Sequence, residues 1–214
     1  MPVRSTMSDL IALERTMIGD PAGASQQFND LQIQDRLDAS RDDIGYELLD
    51  PFPSIVNTAS TNNQAAFIFA DYYSKQGYWE SDVVLQGLLG TAFWKVLTPV
   101  VSELLLDNGA HWQFEASVFT TGTVPGQLPP VFATGKVYDV YSAAAALLEY
   151  WAVTLTSAYD FTSDGQSFHR SQLMKAKLKM ADYFRRQAKP KVAKMIRMDV
   201  APSIETWTDI AKGR

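Results

Sequence analysis

Hydrophobic residues near the start of the chain recur at the spacing of an α-helix. They lie three to four residues apart, as one buried helix face requires, at Leu10, Leu13 and Met17. The pattern therefore predicts a first helix over residues 7–17. Pro21 ends it, because proline cannot continue the hydrogen-bond ladder of a helix.

A second helix is predicted to begin after Asn29. This residue can cap the helix, and Gln32 stands three residues later, at the position that completes a capping box. Aliphatic residues then mark one face at helical spacing, at Ile33, Leu37, Ile44 and Leu48. Residues 50–53 contain two prolines, so the helix is expected to stop before them.

The pattern changes between residues 54 and 138, where short hydrophobic runs alternate with turn residues. Such runs are typical of β-strands, and they occur at residues 65–72, 83–88, 94–98, 111–119 and 131–137. In the run that starts at His111, every second residue from Trp112 to Val118 is apolar or small, as expected for a half-buried strand. We therefore predict a small antiparallel β-domain over residues 54–138.

A third helix is predicted over residues 140–157, with Asp139 as its cap. The segment is apolar on nearly all sides, and a helix of this kind is buried on nearly all sides. The burial can come from the subunit's own core or from a neighbouring subunit. The candidate residues for either role are Ala144, Leu148 and Trp151.

A fourth helix is predicted over residues 167–188. Ser167 is its expected N-cap, and Asp164 and Gly165 are expected to form the turn that joins it to the third helix. After it, residues 191–214 show no sustained helical period. This segment combines basic and large apolar residues, which suits a tail that docks on a partner, with candidate contacts at Lys191, Lys194, Arg197, Ile204 and Trp207.

These elements predict an α+β fold, in which a small four-helix bundle holds an inserted antiparallel β-domain and ends in an extended C-terminal tail. The predicted helix pairs occupy residues 1–53 and 139–190, the β-domain occupies residues 54–138, and the docking tail occupies residues 191–214. A chain of 214 residues is long enough for one core and a small insert.

Charge is distributed unevenly along the chain. Residues 1–50 hold ten acidic and four basic residues, whereas residues 175–197 hold nine basic residues and one acidic residue. Opposite excesses at the two ends favour contact between copies of the chain. The overall net charge of −5 argues against a dedicated nucleic-acid-binding protein.

The sequence contains little that indicates catalysis. It has no cysteine, and its two histidines lack the spacing of metal ligands. Neither a phosphate-binding glycine loop nor a GxSxG motif is present. Asp35, Asp38 and Asp42 share a predicted helix face, which we interpret as solvated rather than metal-binding. We therefore predict no enzyme activity, no metal and no cofactor.

Nothing in the sequence predicts contact with a membrane. The first eight residues lack the apolar run of a signal peptide, and no segment approaches the roughly 20 apolar residues that span a bilayer.

Three segments, in order along the chain, resemble the head-to-tail adaptor (connector) proteins of long-tailed bacteriophages. One is the block DGQSFxRSQ after an alanine-rich helix, within residues 159–172. The others are residues 17–21 with 28–38, similar to the family's opening helix pair, and residues 79–86 with 96–99, similar to the β-rich insert of some members.

The resemblance implies a structural virion protein at the head–tail junction that is assembled in the host cytoplasm. Such adaptors form rings, commonly of twelve copies, that lie beneath the portal, extend the DNA channel and join head to tail. The implied partners are the portal protein, neighbouring copies and the next neck or tail-completion protein, with non-specific contact to passing DNA. The C-terminal tail would reach the portal.

Two other functions remain open on the sequence. The basic helix at residues 175–186 and the aromatic residues of the β-domain would suit a nucleic-acid-binding module. An enzyme with an unrecognised site is the third alternative.

Overall fold

The computed structural model describes residues 2–54, 69–89, 93–115, 118, 128–156, 161–163, 166–168 and 170–189. After a 3-10 turn at Ser5–Met7, the helices are α1 (Ser8–Ile18), α2 (Asp30–Asp38), α3 (Val140–Thr156) and α4 (Arg170–Gln187). The strands before α3 are β1 (Arg41–Leu48), β2 (Asp50–Ser54), β3 (Phe69–Tyr73), β4 (Val84–Leu89), β5 (Phe93–Leu97), β6 (Val101–Glu103), β7 (His111–Glu115) and β8 (Val131–Tyr138). Between α3 and α4 lie β9 (Phe161–Ser163) and β10 (Gln166–Phe168).

Strands β1–β8 form two four-stranded antiparallel sheets. The first has the order β1-β8-β4-β5 and the second the order β2-β3-β7-β6. The chain passes from the first sheet to the second at Leu49, which is buried and donates its backbone N–H to Val131. The continuous segment therefore supplies β1 to the first sheet and β2 to the second.

The two sheets share one hydrophobic core. Residues from both contribute to it, and its largest fully buried side chains are Tyr72, Trp79, Trp112 and Phe114. The rings of Trp79 and Trp112 meet edge to face, with centroids 5.8 Å apart. This is the packing expected of a β-sandwich, in which inward-facing side chains of two sheets interdigitate.

The helices enclose a second core around α3. Residues from α1, α2, α3 and α4 pack together there, with Tyr78 and Tyr138 joining them from the strand region. At the first turn of α3, the backbone N–H of Ser142 donates to Asp139 Oδ1 at 3.1 Å, which confirms the predicted cap.

The start of the second helix is confirmed, but its predicted length is wrong. Asn29 Oδ1 accepts from the Gln32 backbone N–H and Gln32 Oε1 accepts from the Asn29 backbone N–H, which completes the capping box. The helix ends at Asp38, however, and Ile44 and Leu48 lie in β1. Their spacing of four residues fits one face of a helix or of a strand, so this spacing could not separate the two structures.

The predicted four-helix bundle with an inserted β-domain is wrong. The protein is mixed α+β, with two four-stranded antiparallel sheets beside the helices. Residues 41–54, which we expected to finish a helix pair, instead supply one edge strand to each sheet. The division of the chain at residues 53, 138 and 190 stays a prediction.

The fourth helix begins later than predicted. Ser167 lies in β10 and pairs with Thr162 of β9, and α4 starts three residues later at Arg170, so Ser167 is not its N-cap. Asp164 and Gly165, the predicted turn, lie outside the described residues, as do residues 191–214 of the predicted docking tail.

Candidate functional site

Helix α3 is the central element of the helical layer. Ala144 and Leu148 are fully buried in the subunit's own core, and Trp151 packs at its margin. Of the two roles left open by the sequence, the core role therefore applies to Ala144 and Leu148. Trp151 contacts the Phe28 ring edge to face, with centroids 6.0 Å apart.

Helix α4 is fixed to the layer through Lys177. Its Nζ donates to the Ile18 carbonyl at 3.1 Å and lies 3.5 Å from the centre of the Trp151 ring. The carbonyl end of a helix attracts a positive charge. Burial lowers the pKa of Lys177, and the charge of Asp20 partly opposes this effect. Because Lys177 faces inward, residues on the opposite side of α4 face solvent.

The outward side of α4 forms an exposed charged surface, which we call the α4 strip. It consists of five residues on one helix face, in steps of three or four positions apart from the adjacent Asp182 and Tyr183: Lys175, Lys179, Asp182, Tyr183 and Arg186. All five are exposed, and Tyr183 keeps 60% of its surface accessible. Within the described part of the chain, Lys175, Lys179 and Arg186 form no salt bridge, whereas the adjacent Arg185 pairs with Glu149.

A separate pocket opens in the helical layer, between α2 and α3. We call it the α2–α3 pocket; its volume is about 210 Å³, and it is lined by Phe28, Gln32, Asp35, Arg36, Leu147 and Tyr150. The Phe28 and Tyr150 rings stand 6.0 Å apart. Asp35 and Arg36 are exposed, and neither has an ion-pair partner among the described residues. The pocket thus joins apolar rings to one acidic and one basic side chain.

A buried carboxylate connects the helical layer to the sheets. Glu80 is fully buried; it accepts hydrogen bonds from Thr6 and, at 2.6 Å, from the Tyr138 hydroxyl. The Arg4 guanidinium donates to it at 3.1 Å and also pairs with Asp38 at the end of α2. Burial alone would raise the pKa of Glu80, but these hydrogen bonds and the charge of Arg4 outweigh it and hold the pKa at about 2.

Glu14 is a second buried carboxyl group, but unlike Glu80 it lies among groups that do not hydrogen-bond to it. It lies on α1 and is fully buried, and neither of its carboxyl oxygens has a hydrogen-bond partner. Burial, with a smaller contribution from the charge of Asp139, raises the pKa of Glu14 to about 8. It is therefore protonated at neutral pH, and an uncharged carboxyl is compatible with a helical core.

The sequence did not indicate a cluster of polar side chains on the outer face of the second sheet. His111 Nε2 lies 3.1 Å from Asp71 Oδ1, and His111 Nδ1 lies 3.3 Å from Glu103 Oε2. Tyr73 stacks on the imidazole, with centroids 4.7 Å apart. Only the strand register brings these residues together, since β3 and β6 both pair with β7. Both imidazole nitrogens are occupied by carboxylates, so the cluster does not present a free base to a substrate.

The described residues show no grouped metal ligands, such as three His, Cys, Asp or Glu side chains around one point. The three aspartates considered from the sequence do not share a helix face: Asp35 and Asp38 lie on α2, whereas Asp42 lies in β1. Asp38 is paired with Arg4.

Most of the aromatic residues of the β-domain, which the nucleic-acid-binding alternative would use for stacking, are internal. Tyr72, Trp79 and Trp112 are almost fully buried in the sandwich core, and Tyr78 is buried in the helical one. Trp94 and Tyr73 are the exceptions, at 54% and 41% exposed; Trp94 meets Phe132 edge to face on the outer side of the first sheet, whereas Tyr73 lies on the second sheet. A continuous stacking surface built from this set is therefore not present.

Comparison with protein-family models, with curated proteins and with solved structures found no match to the chain. Within the described residues, every helix is too short or too polar to cross a membrane.

Proposed function

We propose that this protein is a structural, non-enzymatic ring subunit that acts as a head-to-tail adaptor in a bacteriophage virion. The observation on which this proposal chiefly rests is the presence of two different surfaces, the α4 strip and the α2–α3 pocket, on one helical layer. A subunit that contacts its neighbours through two different surfaces makes head-to-tail contacts, and these close into a ring when the rotation between copies permits.

The sequence resemblance supplies the biological setting of the proposal. The block at residues 159–172 and the segments at 17–21, 28–38, 79–86 and 96–99 occur in the order expected of adaptor proteins. The partners would then be the portal protein, neighbouring copies and the next neck or tail-completion protein, with passing DNA in non-specific contact. The chain would reside at the head–tail junction of the virion after assembly in the host cytoplasm.

Removal of the protein during assembly tests this function. In a phage whose particles contain it, we expect a null mutant to accumulate DNA-filled heads and separate tails, visible by electron microscopy. Supplying the chain from a plasmid should restore joined particles. Normal joined particles in the null mutant would refute the adaptor function, and a failure of capsid formation would assign the protein an earlier role.

We also propose that residues 191–214 dock on the portal. Lys191, Lys194 and Arg197 would form a basic rim, and Ile204 and Trp207 would be the buried anchors. Large apolar residues in such a segment would supply the binding free energy through burial on the partner.

Deletion of residues 191–214 should leave thermal unfolding of the isolated protein unchanged but prevent its recovery with the portal in a pull-down. The double variant Ile204→Ser/Trp207→Ser should reproduce the loss, whereas Lys191→Ser should weaken binding in a salt-dependent manner. Full retention of portal binding by the truncated chain would refute the docking role. A lower melting temperature would show that the segment belongs to the subunit's own core.

A nucleic-acid-binding module is the second candidate function, and one observation favours it. Lys175, Lys179 and Arg186 lie exposed on one side of α4, as phosphate-contacting residues of a non-specific binder do. The burial of Tyr72, Trp79 and Trp112 removes the aromatic surface that this function would use. We therefore rank it below the adaptor.

A further inference from the structure

The α4 strip and the α2–α3 pocket fit one another, and we propose that the α4 strip of one copy binds the α2–α3 pocket of the next. This inference rests on the proposed ring function and specifies the surfaces that would build the ring. Both surfaces are formed within the described residues, and they are separate: the strip lies on the side of α4 that faces away from the Lys177 contact, and the pocket is lined by residues of α2 and α3 together with Phe28.

One acid and one base of each surface can be matched in order as well as in sign. Helix α2 exposes an acid followed directly by a base, Asp35 and Arg36. Helix α4 exposes a base followed three residues later by an acid, Lys179 and Asp182. Asp35 can therefore pair with Lys179 while Arg36 pairs with Asp182. The reversed pairing would place like charges together, so the arrangement also selects an orientation.

The apolar parts of the two surfaces are complementary too. Tyr183 follows Asp182 and projects from the exposed side of α4, with 60% of its surface accessible. The pocket offers the ring of Tyr150, which is 48% exposed, above the nearly buried Phe28 and Leu147, with Gln32 at its edge. A tyrosine that enters such a pocket buries its ring against aromatic neighbours and keeps its hydroxyl near a polar group, as interface tyrosines commonly do.

A copy of this chain explains both surfaces better than nucleic acid does. A phosphate backbone would repel Asp182 and would leave the pocket, with its acid, its base and its aromatic ring, without a partner. A second copy provides a partner for Asp35, Arg36, Asp182 and Tyr183 together. Because the two surfaces differ, each copy would bind one neighbour through α4 and another through the pocket.

Thiol cross-linking provides the test, since the chain has no cysteine of its own. The double variant Asp35→Cys/Lys179→Cys should give a ladder of covalent multimers with a short bis-maleimide, in concentrated purified protein or in isolated particles. Each single variant should stay uncross-linked, and a mixture of the two singles should give dimers only. A matched control, Lys95→Cys/Lys179→Cys, uses an exposed lysine on β5 and should give no ladder.

Charge exchange distinguishes a specific contact from chance proximity. When the tagged and untagged chains carry the same variant, Asp35→Lys or Lys179→Asp should each reduce recovery of the untagged chain by at least tenfold. Mixing a tagged chain of one variant with an untagged chain of the other should restore recovery, because each altered residue then meets an opposite charge on its neighbour. Asp9→Lys, at an exposed acid that does not line the pocket, should leave recovery unchanged.

The absence of a ladder in both preparations would overturn the proposed contact. Loss of salt-sensitive DNA retention in Lys179→Asp, without any ladder, would overturn it in favour of nucleic acid. These outcomes remain separate from a failure of the adaptor function, which is judged by whether heads and tails join. A chain that joins them without the ladder would be an adaptor with a different copy-to-copy contact.

Discussion

We expect Glu80→Ala to lower the free energy of unfolding by about 3 kcal/mol, because removing one member of a buried ion pair leaves its partners without compensation. Arg4, Tyr138 and Thr6 all donate to this carboxylate, and it joins the N-terminal segment to the end of β8. The loss should appear as a lower urea midpoint with little change in the slope of the transition.

Asp82→Ala is the matched control for that variant. Asp82 accepts from Lys136 at 2.9 Å, and the same ammonium group lies 3.4 Å from Glu80, but the Asp82 side chain is 39% exposed. A surface ion pair of this kind contributes about 1 kcal/mol or less. Equal effects of the two variants would contradict the view that Glu80 is a structural junction between helices and sheets.

The low pKa of Glu80 sets the pH range over which this carboxylate stabilises the fold. The pKa lies below the ordinary 4.5, at about 2, so the native state binds fewer protons than the unfolded chain between these values. The contribution of Glu80 is therefore complete above pH 4.5 and is lost as the pH falls towards 2. The Glu80→Ala variant should show a shallower loss of stability over that range.

Glu14→Gln should make the protein more stable than the wild type under alkaline conditions. The pKa of Glu14 is raised from the ordinary 4.5 to about 8, so the native state binds more protons than the unfolded chain over that interval. Stability should fall with rising pH there by up to about 1.4 kcal/mol per pH unit, and then level off above pH 8. The variant should lack this slope.

Urea unfolding at several pH values between 5 and 9 measures the effect. Asp139→Asn provides a second check, because the charge of Asp139 contributes to the raised pKa of Glu14. Removing that charge should lower the pH at which the loss of stability levels off. The side-chain oxygen of the asparagine can still accept the capping hydrogen bond from the Ser142 backbone N–H. Parallel stability curves for wild type and Glu14→Gln would contradict the proposed buried, protonated state.

Local sequence signals predicted the starts of α2 and α3 and several strands, but not the start of α4. The capping box at Asn29 and the cap at Asp139 are local hydrogen-bond patterns, and both are formed. The strand predicted at 111–119 corresponds to β7, whose alternation places Trp112 and Phe114 in the core. Such features depend on neighbours within a few residues and can therefore be recognised in one sequence.

Long-range pairing could not be predicted in the same way. Residues 41–48 have a helix-compatible spacing of aliphatic side chains, but pairing with β8 makes them a strand. The His111 cluster, the Glu80 junction and the α2–α3 pocket each join residues far apart in sequence. Their positions follow from strand register and helix packing, neither of which a single sequence reveals.

We propose that copies of this chain form a ring at the junction of head and tail. Cryo-electron microscopy of that junction in particles containing the protein tests it most directly. We expect a closed ring of this chain beneath the portal, with α4 of each copy against the α2 and α3 helices of the next. Density for the chain at another place in the particle, or isolated copies that do not contact each other, would contradict the account.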